Sequence, residues 1–162
     1  MPKSLKTSLS VWTRVFRRIV QQLKTDPDFR RVVADFRSWE GVPGDKTPPN
    51  PNVGAPFVRL TPQPMGVDWY SEDTQAGTLY VLVEIVVSSL CVDDVADLWD
   101  VVVQALRPGN GTLCRDLIAV GAETGEIVFS DPAFDPQPAA ESEGQFSATG
   151  RFHLRLLRSV NP

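Results

Sequence analysis

The spacing of apolar and polar positions divides the chain into stretches of two different periods. Trp12, Val15, Phe16, Ile19, Val20 and Leu23 recur at steps of three and four, which puts them on one face of a helix. Arg14, Arg17, Arg18 and Lys24 fall on the rest of its surface, and Ser8 or Ser10 caps its start. About 16 residues of helix span roughly 24 Å. A second helical pattern follows in "TDPDFRRVVADFRSW", with Asp26 as N-cap, Pro27 at the first helical position, and Phe29, Val32, Val33 and Phe36 as its stripe. "EGVPGDKTPPNPNVGAP" then places five prolines and three glycines in seventeen residues. No period survives there, and the segment reads as a loop or extended arm.

From residue 56 a period of two takes over. "PFVRLTPQ" is a short strand whose Pro56 and Pro62 favour an edge position or a strand terminus. "PMGVDWYSEDTQAG" reads as a polar connection carrying Trp69 and Tyr70. In "TLYVLVEIVV", Leu79, Val81, Val83, Ile85 and Val87 share one face, and Tyr80, Leu82, Glu84 and Val86 the other. A strand apolar on both faces is central, or has its second face covered by another body. Asp93 or Asp94 then caps a helix with the stripe Val95, Leu98, Trp99, Val102 and Leu106. "RPGNG" ends it.

"TLCRDLIAVGA" fits a helical turn leading to a strand, and Ile127 to Phe129 a short strand. "PAFDPQPAAESEGQ" is a second acidic, proline-rich loop. The last strand, "FSATGRFHLRLLRSV", sets Phe146, Ala148, Phe152, Leu154 and Leu156 on one face and Arg151, His153 and Arg155 on the other. This order predicts an α+β fold: an antiparallel four-stranded sheet flanked by N-terminal and central helices. The expectation is a single domain over residues 1–162, with a Pro-rich loop at 41–56 and an acidic loop at 131–145.

Composition narrows the picture in two places. The net charge of −4 is not that of a general nucleic-acid binder. The charge is uneven, however: residues 1–40 hold nine Lys or Arg against four Asp or Glu, and residues 41–162 hold seven against sixteen. Such asymmetry marks either a solvated helix face or a charged face that meets an opposite partner. Cys91 and Cys114 sit in apolar contexts and make neither a disulfide framework nor a metal site. Free thiols of that kind suit a reducing compartment. Arginines interrupt the N-terminal apolar stretch, so it lacks a signal-peptide core. No run of 18 apolar residues exists to cross a membrane. The expectation is a protein made and used in a cytoplasm.

Candidate chemistry is sparse. His153 is the one histidine, and no Ser or Cys motif accompanies it. No Gly-x-Gly-x-x-Gly or Walker-type loop is present, and "PGNGT" is a turn. Asp93, Asp94 and Asp97 read as cap and surface residues of a helix start. No carboxylate pair stands in an apolar setting, and no row of aromatics interleaved with basic residues offers a base-stacking platform. No catalytic residue, metal or cofactor is assigned.

The element order carries a resemblance. An amphipathic helix precedes "APFVRLTPQ", which leads through a polar loop to "GTLYVLVEIVV", "DDVADLWDVVVQAL" and finally "FSATGRFHLRLLRSV". With Pro56 opening the first strand and Leu98–Trp99 in the helix, this order over residues 9–160 resembles the tail terminator, or tail completion, proteins of long-tailed bacteriophages. The resemblance implies an α+β subunit in a homo-hexameric ring. Such a ring caps the tail tube, ends its polymerisation and supplies the head-joining surface. The implied partners are further copies of the chain, the tail tube protein and a neck or head-completion connector, with DNA passing through the lumen without sequence-specific contact. No membrane partner is implied, and the location is the virion tail or neck, assembled in the host cytoplasm. Candidate interface residues are Arg14, Arg17, Arg18, Trp69, Tyr70, Glu72, Asp73, Arg151, His153 and Arg155. Another neck or connector protein, a small adaptor domain and an enzyme of unknown chemistry are the alternatives.

Overall fold

The computed structural model describes residues 11–38, 56–63, 67–69, 72, 74–87, 92–138 and 146–159. Helix α1 runs over Val11–Thr25 and buries Val15, Phe16, Ile19, Val20 and Leu23 of the stripe its spacing predicts, with Trp12 half-buried at its edge. Helix α2 covers only Pro27–Val32. Asp26 caps it by accepting the Phe29 N–H at 2.9 Å, with Pro27 at the first position. The second helix is thus shorter than expected. At Val33 the backbone turns extended, and the Ala34 and Asp35 N–H groups donate to the Pro56 carbonyl at 2.9 and 3.2 Å. Phe36 therefore lies in strand β1, Asp35–Ser38, instead of on a helical stripe. The β-branched pair Val32–Val33 weakens the helix where a strand partner is available.

Among the described residues six strands form one mixed sheet in the order β1-β2-β4-β6-β5, with a short β3 also on β4. Strand β2 is Phe57–Gln63, β3 Val67–Trp69, β4 Thr74–Val87, β5 Val128–Pro138 and β6 Phe146–Ser159. The α+β class holds, and the expected four strands are present as β2, β4, β5 and β6. The sheet is larger than the expected four-stranded one, and it is mixed because β1 runs parallel to β2. Two expected loops are shortened. Trp69 lies in β3, paired through its backbone with Gln75, so residues 67–69 and 74–77 of the expected polar connection are strand. Residues 131–138 of the acidic loop continue β5 along β6. Prolines are tolerated there because β5 is an edge strand with a register shift between Phe129 and Phe134. Pro62 obeys the same rule from inside the sheet. It pairs with Val81 on one side, but lies beyond the last β1 partner on the other. The expected Ser8 or Ser10 cap, Cys91, loop 41–55 and residues 139–145 fall outside the described residues.

The pair β4–β6 is the spine: fourteen partners in unbroken antiparallel register, from Thr74↔Ser159 to Val87↔Phe146. At about 3.3 Å per residue each strand runs roughly 45 Å. On one face, Leu79, Val81, Val83 and Ile85 meet Leu154, Phe152, Gly150 and Ala148, and α1, α3 and α4 close over them in one buried cluster. Helix α3, Val92–Ala105, contributes Val95, Leu98, Trp99 and Val102. Asp93 and Asp94 lie in its first turn, past the cap position expected of one of them. Trp99 stacks edge-on to Phe129, and Phe129 to Phe152, at 5.5 and 5.7 Å, tying α3 to β5 and β6.

"TLCRDLIAVGA" resolves into helix α4, Leu113–Val120, ended by Gly121 at φ 124°. Ala122 makes a single bridge to Leu156 in place of the expected strand. Gly121 has two reasons to lack a side chain. Its backbone is left-handed, and Val11 packs where a Cβ would stand.

Candidate functional site

The expected interface residues separate onto two sides of the molecule. Arg14 and Arg17 are exposed on α1, in the helical layer. Arg18 is drawn inward. Its Nε and Nη2 contact Asp116 Oδ2 at 3.1 and 3.0 Å, and its Nη1 donates to Gln22 Oε1 at 3.1 Å. Hydrogen bonds from the Thr112 hydroxyl and from Arg18 hold the Asp116 carboxyl below the usual carboxylate range. Gln22 is buried and donates to the Ala105 and Asn110 carbonyls at 3.3 and 3.4 Å. Asn110 in turn donates to Asp26 Oδ2 at 3.0 Å and to the Ala105 carbonyl at 2.8 Å. The turn "PGNGT" is thus a polar clasp between α1, α2 and α3. Arg18 fastens the same clasp to α4.

Arg151, His153 and Arg155 project from the sheet face opposite the helices. The register sets them beside Leu82, Tyr80 and Thr78. Arg151 and Arg155 are exposed and His153 is half-buried. Arg155 Nε donates to Glu123 Oε2 at 3.0 Å. The His153 ring lies 5.5 Å from that of Tyr80, and its Nδ1 is 3.3 Å from Ser130 Oγ. A serine beside a histidine is half of a nucleophile–base arrangement. Here the flanking groups on β6 are arginines, and the cluster sits on an open strand face. Glu72 is exposed. Trp69 is placed by its backbone alone, and Tyr70 and Asp73 lie outside the described residues.

The same face holds a patch that sequence alone does not distinguish. Phe57 and Val86 are cross-strand neighbours and are both buried, yet neither belongs to the core under the helices. The Arg37 and Arg59 guanidinium groups stand 5.5 and 5.8 Å from the Phe57 ring centre, within cation–π range. Asp35 and Glu84 pair with these arginines.

Two further features come from α3. Asp93, Asp94, Asp97 and Asp100 are all exposed and form an acidic ridge. Their three- and four-residue spacing was the available signal. Beside the ridge, α2, the mouth of β2, the end of β4 and α3 enclose a groove of about 290 Å³. Its walls are Val32, Pro56, Val87, Leu98 and Val101, with Asp94 and Asp97 as its charged members. No local sequence pattern predicts it, because its walls come from four elements.

Among the described residues no group of three His, Cys, Asp or Glu converges to hold a metal, and no helix is long and apolar enough to cross a membrane. The fold and surfaces define a two-layer α+β protein, with helices on one face of a mixed sheet and distinct basic and acidic surfaces. No family model matches the chain, and no curated protein matches it in sequence. In fold it is similar to a chain from a solved structure described as the virion of a native gene transfer agent (GTA) particle. The TM-score is 0.58 at 16% identity, over 93% of this chain and 100% of that one. At this identity the likeness is one of fold.

Proposed function

We propose that the chain is a structural component of a phage-like virion, and that it forms a ring which caps the tail tube, ends tube polymerisation and presents the surface for head joining. The observation that carries the reading is the fold shared, along the whole of the other chain, with a chain from a gene transfer agent virion particle. The surfaces fit this role. A ring closes through head-to-tail contacts, which require two different patches on each subunit. The exposed arginines of α1 and the aspartates of α3 are two such patches of opposite charge. The partners in this reading are further copies of the chain, the tail tube protein and a neck connector. Trp69, Tyr70, Glu72, Asp73, Arg151, His153 and Arg155 remain interface candidates toward them.

The test is the native mass of the purified protein at two concentrations and two salt levels, with negative-stain imaging. The expected result is rings of about six subunits that bind isolated tail tubes. A protein that stays monomeric in the presence of tubes and binds none of them overturns the reading. Reversing Arg14 and Arg17 to Glu is expected to weaken assembly at low salt. Arg18 is left out of that variant because it anchors Asp116 and Gln22 within the fold.

A further inference from the structure

The groove beside α3 lies at the far end of the molecule from the start of α1. Val11 packs against Gly121, whose carbonyl accepts the Leu157 N–H at 2.8 Å, and Leu157 pairs with Ala76 near the start of β4. The groove is at Val87, eleven residues further along the same strand. Between those two points β4 runs roughly 36 Å, so the start of α1 and the groove lie toward opposite ends of that strand.

The groove asks for an apolar segment with positive charge. Among the described residues its walls are aliphatic apart from Asp94 and Asp97, which are exposed and make no ion pair among those residues. Two stretches of this chain outside the described residues differ in their fit. Residues 39–55 lead to Pro56 on the groove wall, but carry Glu40 and Asp45 against Lys46 alone. Their net charge has the same sign as the rim. Residues 3–9, "KSLKTSL", carry Lys3 and Lys6 with no acid, and Leu5 and Leu9 as apolar anchors.

Reach decides whose arm this is. Leu5 precedes Val11 by six residues, and six residues extend at most about 22 Å. Leu5 therefore falls short of the groove of its own chain. We infer that residues 3–9 of one copy insert into the α3 groove of a second copy, with Leu5 and Leu9 against its aliphatic walls and Lys3 and Lys6 toward its Asp94 and Asp97. The contact rests on the head-to-tail reading above and gives it a specific joint: the α1 end of one subunit docks on the β4 end of the next. Both ends differ, so the contact repeats around a ring.

A zero-length carbodiimide cross-link between lysine and aspartate tests this in a mixture of ¹⁵N-labelled and unlabelled full-length protein. The native mass of the untreated protein is recorded in parallel. The expected products join Lys3 or Lys6 to Asp94 or Asp97 and include mixed-isotope pairs. They disappear in D94N/D97N. In addition, D94K/D97K is expected to weaken association by about tenfold or more, and K3E/K6E in the same chain to restore it. Rings without these cross-links, or with single-isotope ones alone, overturn the arm contact and leave the ring standing. Mixed-isotope links in an assembly that never closes support the arm contact and count against the ring. Neither links nor assembly sinks both. Links from Lys46 to the same aspartates assign the groove to the chain's own 39–55 segment and also overturn the inference.

Discussion

The helix-covered face of the sheet and its opposite face are built from alternating residues of the same strands, and they behave differently. On the first, Val81, Val83, Ile85 and Phe152 are sealed from solvent by three helices. On the second, Tyr80, Leu82, Glu84 and His153 are half-buried, and the apolar centre at Phe57 and Val86 sits among ion-paired arginines. Apolar character on both sides of a strand therefore does not make both sides core. It makes one side core and leaves the other with half-buried residues around a small buried centre at Phe57 and Val86.

The widest expected gap between the faces is in stability. Phe152→Ala removes a fully buried ring at the meeting of α3, β5 and β6, and is expected to destabilise by about 3–5 kcal/mol in denaturant unfolding. Leu82→Ala, one position across on the open face, is expected to lose less than about 1.5 kcal/mol, and to alter assembly more than folding. Equal losses would abolish the distinction. Phe57→Ala sharpens it from the other side. A loss of about 3 kcal/mol, near that of a core phenylalanine, would make the arginine-flanked patch a second small core. A negligible loss would show that the burial of this ring contributes little to folding.

Next in size is Gly121→Ala, which strains a left-handed residue and pushes against Val11. It is expected to destabilise by more than about 1 kcal/mol in thermal unfolding, by loosening the seat of α1 on the helix-covered face. The smallest effect concerns pH. The folded Asp116 carboxyl is held below its unfolded value by Thr112 and Arg18. Its contribution is therefore present above the ordinary carboxylate range and lost as pH falls through the folded value. Wild type is expected to exceed Asp116→Asn slightly in melting temperature near neutral pH, and the difference to close below about pH 4. A gap that persists in strong acid would show that the residue acts through packing alone.

The elements with unambiguous periods were legible in the sequence. The stripe of α1, the faces of β4 and β6, the Asp26 cap and the body of α3 follow from local side-chain spacing, which needs no partner to be read. The misjudged segments are those where a distant partner decides. "VVADF" continues a helical spacing, yet the Pro56 carbonyl is available to the Ala34 and Asp35 N–H groups, the helix stops at Val32 and a strand begins at Asp35. "SDPAFDPQP" has the composition of a loop, yet β6 offers a neighbour along which an edge strand tolerates prolines. Among the site candidates, Arg14 and Arg17 are surface residues as their helical positions indicate. Arg18 shares their spacing but is taken inward by Asp116, 98 residues away in sequence.

By itself the sequence determined the α+β class, the face of each long strand that is buried, and the segregation of positive charge toward the N-terminus. Each of these depends on periodicity or composition within one segment. The parallel strand β1, the continuation of β5, the clasp around Gln22 and Asn110, and the α3 groove were decided by tertiary structure. Each consists of groups from different elements, whose meeting depends on strand order and register, and no local spacing encodes that.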